Sequence, residues 1–534
     1  MSSSSPRSPY GKQATAILVA VSFVALSGFG TADTKKKPAD GPVPLTVPKA
    51  VCGPGDTPEP DLQGQVSAAT RAAGFKGYNC NLQLIAQSKG DGANWQTTQF
   101  SNGHNRVCAY HGSASPALSL PGRNPASYGV PVIDITEPSN PTRMGYLQTT
   151  SMLDPWESLK VNERRKLLAA DNGANGGGGP EIDIYDVSDD CRFPQFLASV
   201  AVGKADGTTG APIPVTGHEG SWAPDGLTYY GGDIGRAQYY AVDTTDPTAP
   251  KLITAWKPGI KSGNVDATIH GLSISDDGNR GYFVSLLGSG PVTADKAANG
   301  LLIYDLSEIQ ARKPNPQVKL ISKFLFNDGG GAQHTINVKI KGKPYIIFVD
   351  ETGPGGFGGV PNLQASCDAG LPPFPMARII DISDETAPKQ VSRLMLETHD
   401  PANCDKVLPD LAGLAIFMYG SHYCSVDNRH HATTLACGYF NSGIRVFDIR
   451  DPVRPKEIAY YNPAGTTTPS VGSNHNVAGQ WRAGGPDWCS AQVHLDHSRG
   501  TLWTTCQDNG FLMLKFTNGV WPYPQSATPP GQQN

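Results

Sequence analysis

The sequence predicts an all-β protein, a seven-bladed β-propeller closed by an N-terminal strand, and three observations carry that reading. Gly (61) and Pro (45) make up about a fifth of the 534 residues, against roughly 12% in ordinary globular chains, which argues against a helix-rich protein. A β-rich run ending in Asp and followed by a turn of Asp, Pro and Thr recurs at Val132, Ile184, Ala241, Ile303, Ile379 and Val446. A further β-rich run, 81–88 (NLQLIAQS), precedes the first full unit and has no unit of its own.

The repeated acids are Asp134, Asp186, Asp243, Asp305, Asp381 and Asp448, and a seventh copy at Phe511 (FLMLKF) has lost the acid. Each turn leads into another short run, such as 251–256 (KLITAW) or 456–461 (KEIAYY). Alternating, β-branched runs bounded by Pro and Gly read as strands joined by tight turns. About four strands per unit and seven units predict a ring of blades, each burying both faces against its neighbours. Two β-sandwiches would not account for seven regular copies. After Phe516 the chain (TNGVWPYPQSATPP) is too rich in Pro for a last outer strand, so 81–88 is expected to complete the seventh blade. The propeller is thus placed at 81–517, with an extension at 51–80 before it and a flexible tail at 518–534.

The N-terminus reads as an export signal. Arg7 and Lys12 supply positive charge, 16–28 is apolar, and Ala32 offers a cleavage point, which places a signal peptide at 1–32. The apolar run is too short for a comfortable membrane span, so none is expected after signal removal. Residues 33–50 read as a Lys/Pro linker. Ten Cys in an exported chain point to disulfides; Cys424 with Cys437, and Cys489 with Cys506, fall on neighbouring strands. A formal net charge of −4 excludes a strongly basic nucleic-acid surface.

The phrases GIRVFDIRDPVRPKEI at Gly443 and YYAVDTTDPTAPKLI at Tyr239 resemble the LVIVD-repeat family of secreted or surface-exposed propellers, over most of residues 80–517. The resemblance implies the propeller fold and an extracytoplasmic location, and little about activity. More distantly, the repeats are similar to those of the selenium-binding protein and methanethiol oxidase family. That likeness implies metal-binding His residues.

Aligned about 12 residues before the second strand of each unit stand Trp95, Trp156, His218, His270, His334, His422 and Trp488. Equivalent positions of innermost strands converge at one level of a central channel. His218, His270, His334 and His422 are therefore the expected metal ligands, and Trp95, Trp156 and Trp488 are expected to line or plug the channel. Imidazole suits Fe, Cu, Zn and Ni; Fe or Cu is favoured over Zn or Mn, and the lack of an evident carboxylate cluster argues against Ca or Mg. Glu219, Asp266 and Glu157 are expected to orient the rings from behind. The same ring has a structural reading, each imidazole bonding a carbonyl of the next blade. His430, His431, His494, His497, His104 and His111 are expected outside the centre, with His475 an extra ligand candidate at the channel mouth. The insertion 351–376 is too long for a blade turn and is expected to form a lid.

Three functions follow from these residues. The first is a secreted metalloprotein, an oxidoreductase or hydrolase acting on a small molecule at the channel mouth. The second is a non-enzymatic binding or adhesion module for an extracellular protein or polysaccharide. The third, implied by the likeness to the methanethiol oxidase family, is a copper-dependent thiol oxidase. No phosphate loop or nucleophile elbow is present to support nucleotide binding or serine hydrolysis.

Overall fold

The computed structural model describes residues 46–523 apart from 94, 103–105, 114–123, 172–181, 204–216, 263–264, 287–297, 357–358, 413–416 and 467–483. The expected signal peptide, His104 and His475 lie outside the described residues. Seven antiparallel sheets follow one another along the chain. Blade 1 runs Thr97–Asn102, Arg106–His111, Val130–Asp134, Thr142–Leu147; blade 2 Lys160–Asn162, Leu167–Asp171, Ile182–Asp186, Gln195–Val200. Blade 3 is Gly217–Trp222, Thr228–Asp233, Gln238–Asp243, Lys251–Trp256, and blade 4 Leu272–Ile274, Arg280–Ser285, Asn299–Asp305, Lys319–Phe326. Blade 5 is Gly331–Ile340, Lys343–Thr352, Ala377–Asp381, Lys389–Leu394, and blade 6 Cys424–Val426, Thr434–Gly438, Ile444–Asp448, Lys456–Asn462. Blade 7 joins His494–Asp496, Thr501–Cys506 and Gly510–Phe516 to Leu82–Ser88, which pairs antiparallel with Gly510–Phe516 as its outer strand. The ring is closed by the N-terminal strand, as the sequence predicts.

Burial on both faces explains the β-branched and aromatic character of the middle strands. Each blade interface holds its own apolar layer. Ala169 and Ile184 of blade 2 meet Tyr229 and Tyr240 of blade 3, and Trp503 and Met513 of blade 7 meet Ala109 and Ile133 of blade 1 across the closure.

The repeated Asp ends the third strand of each of the first six blades and caps the turn after it. Asp134, Asp186, Asp243, Asp305, Asp381 and Asp448 each accept, through Oδ1, a bond from the backbone N–H two residues on, at 2.7 to 3.0 Å. An Asx turn needs a short acceptor side chain at that position, so the phrase is structural.

The described flanks of the ring, 46–80 and 517–523, pack against it more than the sequence predicts. Within the linker assigned to 33–50, Val47 is buried and its N–H bonds Met395 O at 2.8 Å. The extension contributes Tyr78–Cys80 as a fifth strand of blade 6, pairing with Lys456–Asn462. In the expected tail, Trp521 is buried against Phe516 and Asn518 Nδ2 donates to Asn81 Oδ1 at 2.9 Å. Apolar contact outweighs the Pro-rich composition at both ends.

The Cys pair as Cys52–Cys80, Cys108–Cys191, Cys367–Cys404, Cys424–Cys437 and Cys489–Cys506. Five disulfides fit an oxidising, extracellular environment. Among the described residues no helix is long and apolar enough to cross a membrane. Inside the 351–376 insertion a helix, Val360–Asp368, is tied through Cys367–Cys404 to the segment after blade 5. There Leu363 and Phe374 pack with Leu411, Met418 and Tyr419.

Two imidazoles set an acid limit, His399 buried and His494 half-buried. His399 accepts from Leu396 N at 3.0 Å and meets Pro375 O at 2.8 Å, while His494 stacks on Trp503 and meets Thr97 Oγ1 at 2.8 Å. Burial pushes their pKa values down to about 4 and about 3. Both are neutral when folded and gain a proton when unfolded below about 6.5. Stability held above that pH is lost as pH falls toward the folded values, by up to ~1.4 kcal/mol per unit for each group. Because buried carboxyls with raised pKa values, Asp350 and Asp487 among them, act in the opposite direction, the test is differential. Between pH 7 and pH 4.5 a His494→Phe variant is expected to lose less thermal stability than the wild type, and an equal change in both would contradict this account.

Candidate metal centre

Three of the four predicted histidines converge. His218 lies on the innermost strand of blade 3, while His270 and His422 stand two residues before those of blades 4 and 6. His218 Nε2 and His270 Nε2 are 2.9 Å apart. His422 Nε2 faces two carboxylates, Glu157 Oε1 at 3.6 Å and Glu351 Oε2 at 3.4 Å.

His334 is not in this group, which corrects the four-His set. The inner strand of blade 5 shifts register on both sides of Ala332, and such bulges re-aim neighbouring side chains. The ring stacks on Tyr423 at 4.7 Å, and its Nε2 accepts from Cys424 N at 3.4 Å, so that nitrogen serves the backbone.

Glu157 stands among the ligand atoms and not behind them. Its N–H bonds His218 O at 3.1 Å and its carbonyl accepts from Gly220 N at 3.4 Å, which fastens the segment before blade 2 onto the inner strand of blade 3. Its Oε2 lies 3.2 Å from His218 Nε2 and 3.3 Å from His270 Nε2, yet makes no hydrogen bond. Glu351 completes the set, with Oε1 3.7 Å from His270 Nε2. It sits near the end of Lys343–Thr352, a ten-residue second strand that begins the insertion. The expectation of a site without a carboxylate cluster is overturned, because two Glu join the three His.

Glu219 is placed as an orienting group: Oε2 lies 3.2 Å from His270 Nδ1 and accepts from Tyr423 OH at 2.9 Å. Asp266 is not, since it lies in a two-residue strand pairing Lys261 at 3.1 Å, with its side chain 53% exposed. The local hairpin turns it to solvent.

The structural reading of the histidines leaves their other ring nitrogen available to an ion. His270 Nδ1 meets Gln333 O of blade 5 at 2.8 Å, and His422 Nδ1 meets Ser490 O, before the inner strand of blade 7, at 3.0 Å. A carbonyl accepts only, so Nδ1 carries the proton and the Nε2 lone pair faces the channel. Ligating histidines show this arrangement.

Burial lowers His270 and brings His218 and His422 down to about 4, leaving neutral imidazoles. Burial also raises Glu157 and Glu219 and carries Glu351 to about 7. Lys160, which bonds Gln492 Oε1 at 3.2 Å, is lowered to about 8 by burial.

A cavity of about 210 Å³ adjoins the donors, walled by Trp95, Trp156, Ile234, Ile269, Leu286 and Phe417. Trp95 meets Trp156 at 5.5 Å, Trp488 at 5.2 Å and His422 at 5.0 Å, so the three Trp form one aromatic side of the channel. Trp156, Phe417 and Phe440 hold φ of 45°, 52° and 42°. This left-handed region is strained for bulky residues and is tolerated where surroundings enforce it, often at functional sites. The insertion borders the same place, since Leu363, Pro373 and Phe374 share a neighbouring hollow with Glu351 and Phe417.

Of the other histidines, His430 is exposed near Asp276, His494 and His497 face Trp503 and Trp521 separately, and His111 is buried against Gly112 O. Glu351, Tyr423 and Lys160 are residues that alignment of the histidines does not reveal.

Replacing Glu219 by Gln is expected to weaken metal binding by ~10–100-fold, the usual effect of losing an orienting partner. Competition against a chelator measures it, and unchanged affinity would remove Glu219 from the orienting role.

No family model and no curated protein matches the chain. Among solved structures, a candidate 6-phosphogluconolactonase of Bacteroides uniformis is 11% identical with a TM-score of 0.49, over 78% of this chain and 93% of that one. Hydrazine synthase of Kuenenia stuttgartiensis is 10% identical (TM-score 0.43; 80% and 96% covered), and the periplasmic gluconolactonase PpgL of Pseudomonas aeruginosa 10% identical (0.40; 68% and 85%). The seven-bladed architecture rests on the strand order of this chain alone.

Proposed function

We propose that this protein is an exported metalloenzyme that seats a transition-metal ion on His218, His270 and Glu157 and acts oxidatively on a small, largely apolar molecule in the adjoining cavity. One observation carries the reading: the three donor atoms are 2.9, 3.2 and 3.3 Å from one another. With bonds of about 2.0–2.1 Å, neighbouring donors on one ion stand about 3.0 Å apart in an octahedron and about 3.4 Å in a tetrahedron. Two imidazoles and one carboxylate on one face, with other positions open, is the donor set of non-haem Fe(II) oxygenases.

Such an ion, when bound, supplies Lewis acidity and a place for dioxygen. The chain supplies the rest. Gln333 O fixes the His270 tautomer, Glu219 steadies that ring, and Ile234, Ile269 and Leu286 exclude water from the cavity wall. Two carboxylates near the imidazoles weigh against a copper-dependent thiol oxidase, because soft Cu(I) prefers sulfur donors.

Elemental analysis of the purified mature chain tests the proposal. Stoichiometric metal is expected, lost in His218→Ala and His270→Ala variants that keep the wild-type circular dichroism. A chain that is metal-free and takes up none of Fe, Mn, Zn or Cu would overturn it.

A further inference from the structure

We infer that the channel seats two ions, the second held by Glu351, His422 and the other carboxylate oxygen of Glu157; this rests on the metal reading above. The donors fall into two sets, Glu157–His218–His270 and Glu157–Glu351–His422, each with all its ligand atoms within 4.8 Å of one another and sharing Glu157 alone. Two donors on one ion are at most twice the bond length apart, about 4.2 Å. The five residues do not together form one group within even 4.8 Å, so a single ion cannot take all of them.

Both carboxylates straddle the gap. Glu157 turns Oε2 toward His218 and His270 and Oε1 toward His422 at 3.6 Å. Glu351 turns Oε1 toward His270 at 3.7 Å and Oε2 toward His422 at 3.4 Å. A carboxylate offering one oxygen to each side is a bridge, and bridged pairs of metal ions stand about 3.5–4 Å apart.

The electrostatics of the second set ask for a cation. The proton on His422 Nδ1 is committed to Ser490 O, so the Nε2 lone pair faces two carboxyl groups that can meet it only through a shared proton or a cation. Neither Glu157 nor Glu351 has an Arg or Lys ion pair among the described residues. Buried carboxylates without such partners are costly. A divalent ion answers both problems. With a donor set richer in carboxylate oxygen, the second seat favours Mn(II), Fe(II) or Zn(II) over copper.

The test is metal stoichiometry of the full mature chain, freed of metal by a chelator and titrated separately with Fe(II) under anaerobic conditions, Zn(II) and Mn(II). Two equivalents are expected for the wild type, and one for His422→Ala and for Glu351→Gln, with circular dichroism showing both variants folded. A magnetic-resonance signal of coupled ions should appear with two Mn(II) and vanish in either variant. One equivalent in the wild type overturns the second seat and leaves the first standing. No binding in the wild type overturns both.

Discussion

Glu157→Ala is expected to abolish metal binding at the channel while leaving the metal-free fold as stable as before or more so. Glu157 is the residue common to both donor sets, so its loss strips a ligand from each seat. Loss of an orienting group alone costs 10–100-fold in affinity; loss of a shared ligand should exceed ~100-fold. The metal-free protein behaves differently. Burial already opposes the charge on Glu157, and its Oε2 makes no hydrogen bond, so truncation relieves a desolvation penalty of about 1–3 kcal/mol. Thermal unfolding with and without added metal separates the two effects. The wild type should gain stability on adding metal and the variant should not. An equal gain in both would remove Glu157 from the centre.

Arg445→Met is expected to destabilise the ring by about 3–5 kcal/mol, the usual cost of leaving buried charges unpaired. Its guanidinium reaches Glu59 Oε2 at 2.8 Å, Glu59 Oε1 at 3.1 Å and Glu457 Oε1 at 3.0 Å, its Nε donates to Ser442 O at 2.8 Å, and the side chain is fully buried. It also lies over the Tyr460 ring at 4.7 Å. Without it, two buried carboxylates from the extension and from blade 6 face each other. Urea unfolding should show the loss, and limited proteolysis should cut first within 51–80. Metal content should stay as in the wild type, because the hydrogen-bond partners of the Arg445 side chain are Glu59, Glu457 and Ser442 and none of the donors. A loss below about 1 kcal/mol would mean that the extension is not anchored by this pair.

Periodic features were legible in the sequence, and single contacts were not. Asp134 and its five counterparts announced the blades because the third strands of the first six end in the same turn cap. The 81–88 strand could be placed in blade 7 because the C-terminal segment offered none. His218, His270 and His422 were found by register alone. His334 shared that register, but a bulge beside it turned the ring toward Tyr423, and a bulge has no reliable signature in a Gly-rich run. Glu351 escaped because it lies on a second strand, outside the aligned innermost positions. Asp266 was close in sequence to His270, yet a two-residue hairpin sends it to solvent. Val47 and Trp521 pack through partners far along the chain, which composition cannot name.

The closing strand also sets when the ring can be completed. Gln87 bonds Asn509 across 422 positions of chain, and closing a loop of that length costs on the order of 5 kcal/mol in chain entropy. That contact cannot form until the last blade has been synthesised. Blades 7 and 1, on either side of this seam, are preceded by Trp488 and Trp95, whereas every metal donor belongs to blades 2 to 6. The closure thus falls beside the Trp95–Trp488 contact, while the facing His and Glu side chains sit on blades that the chain joins in unbroken order.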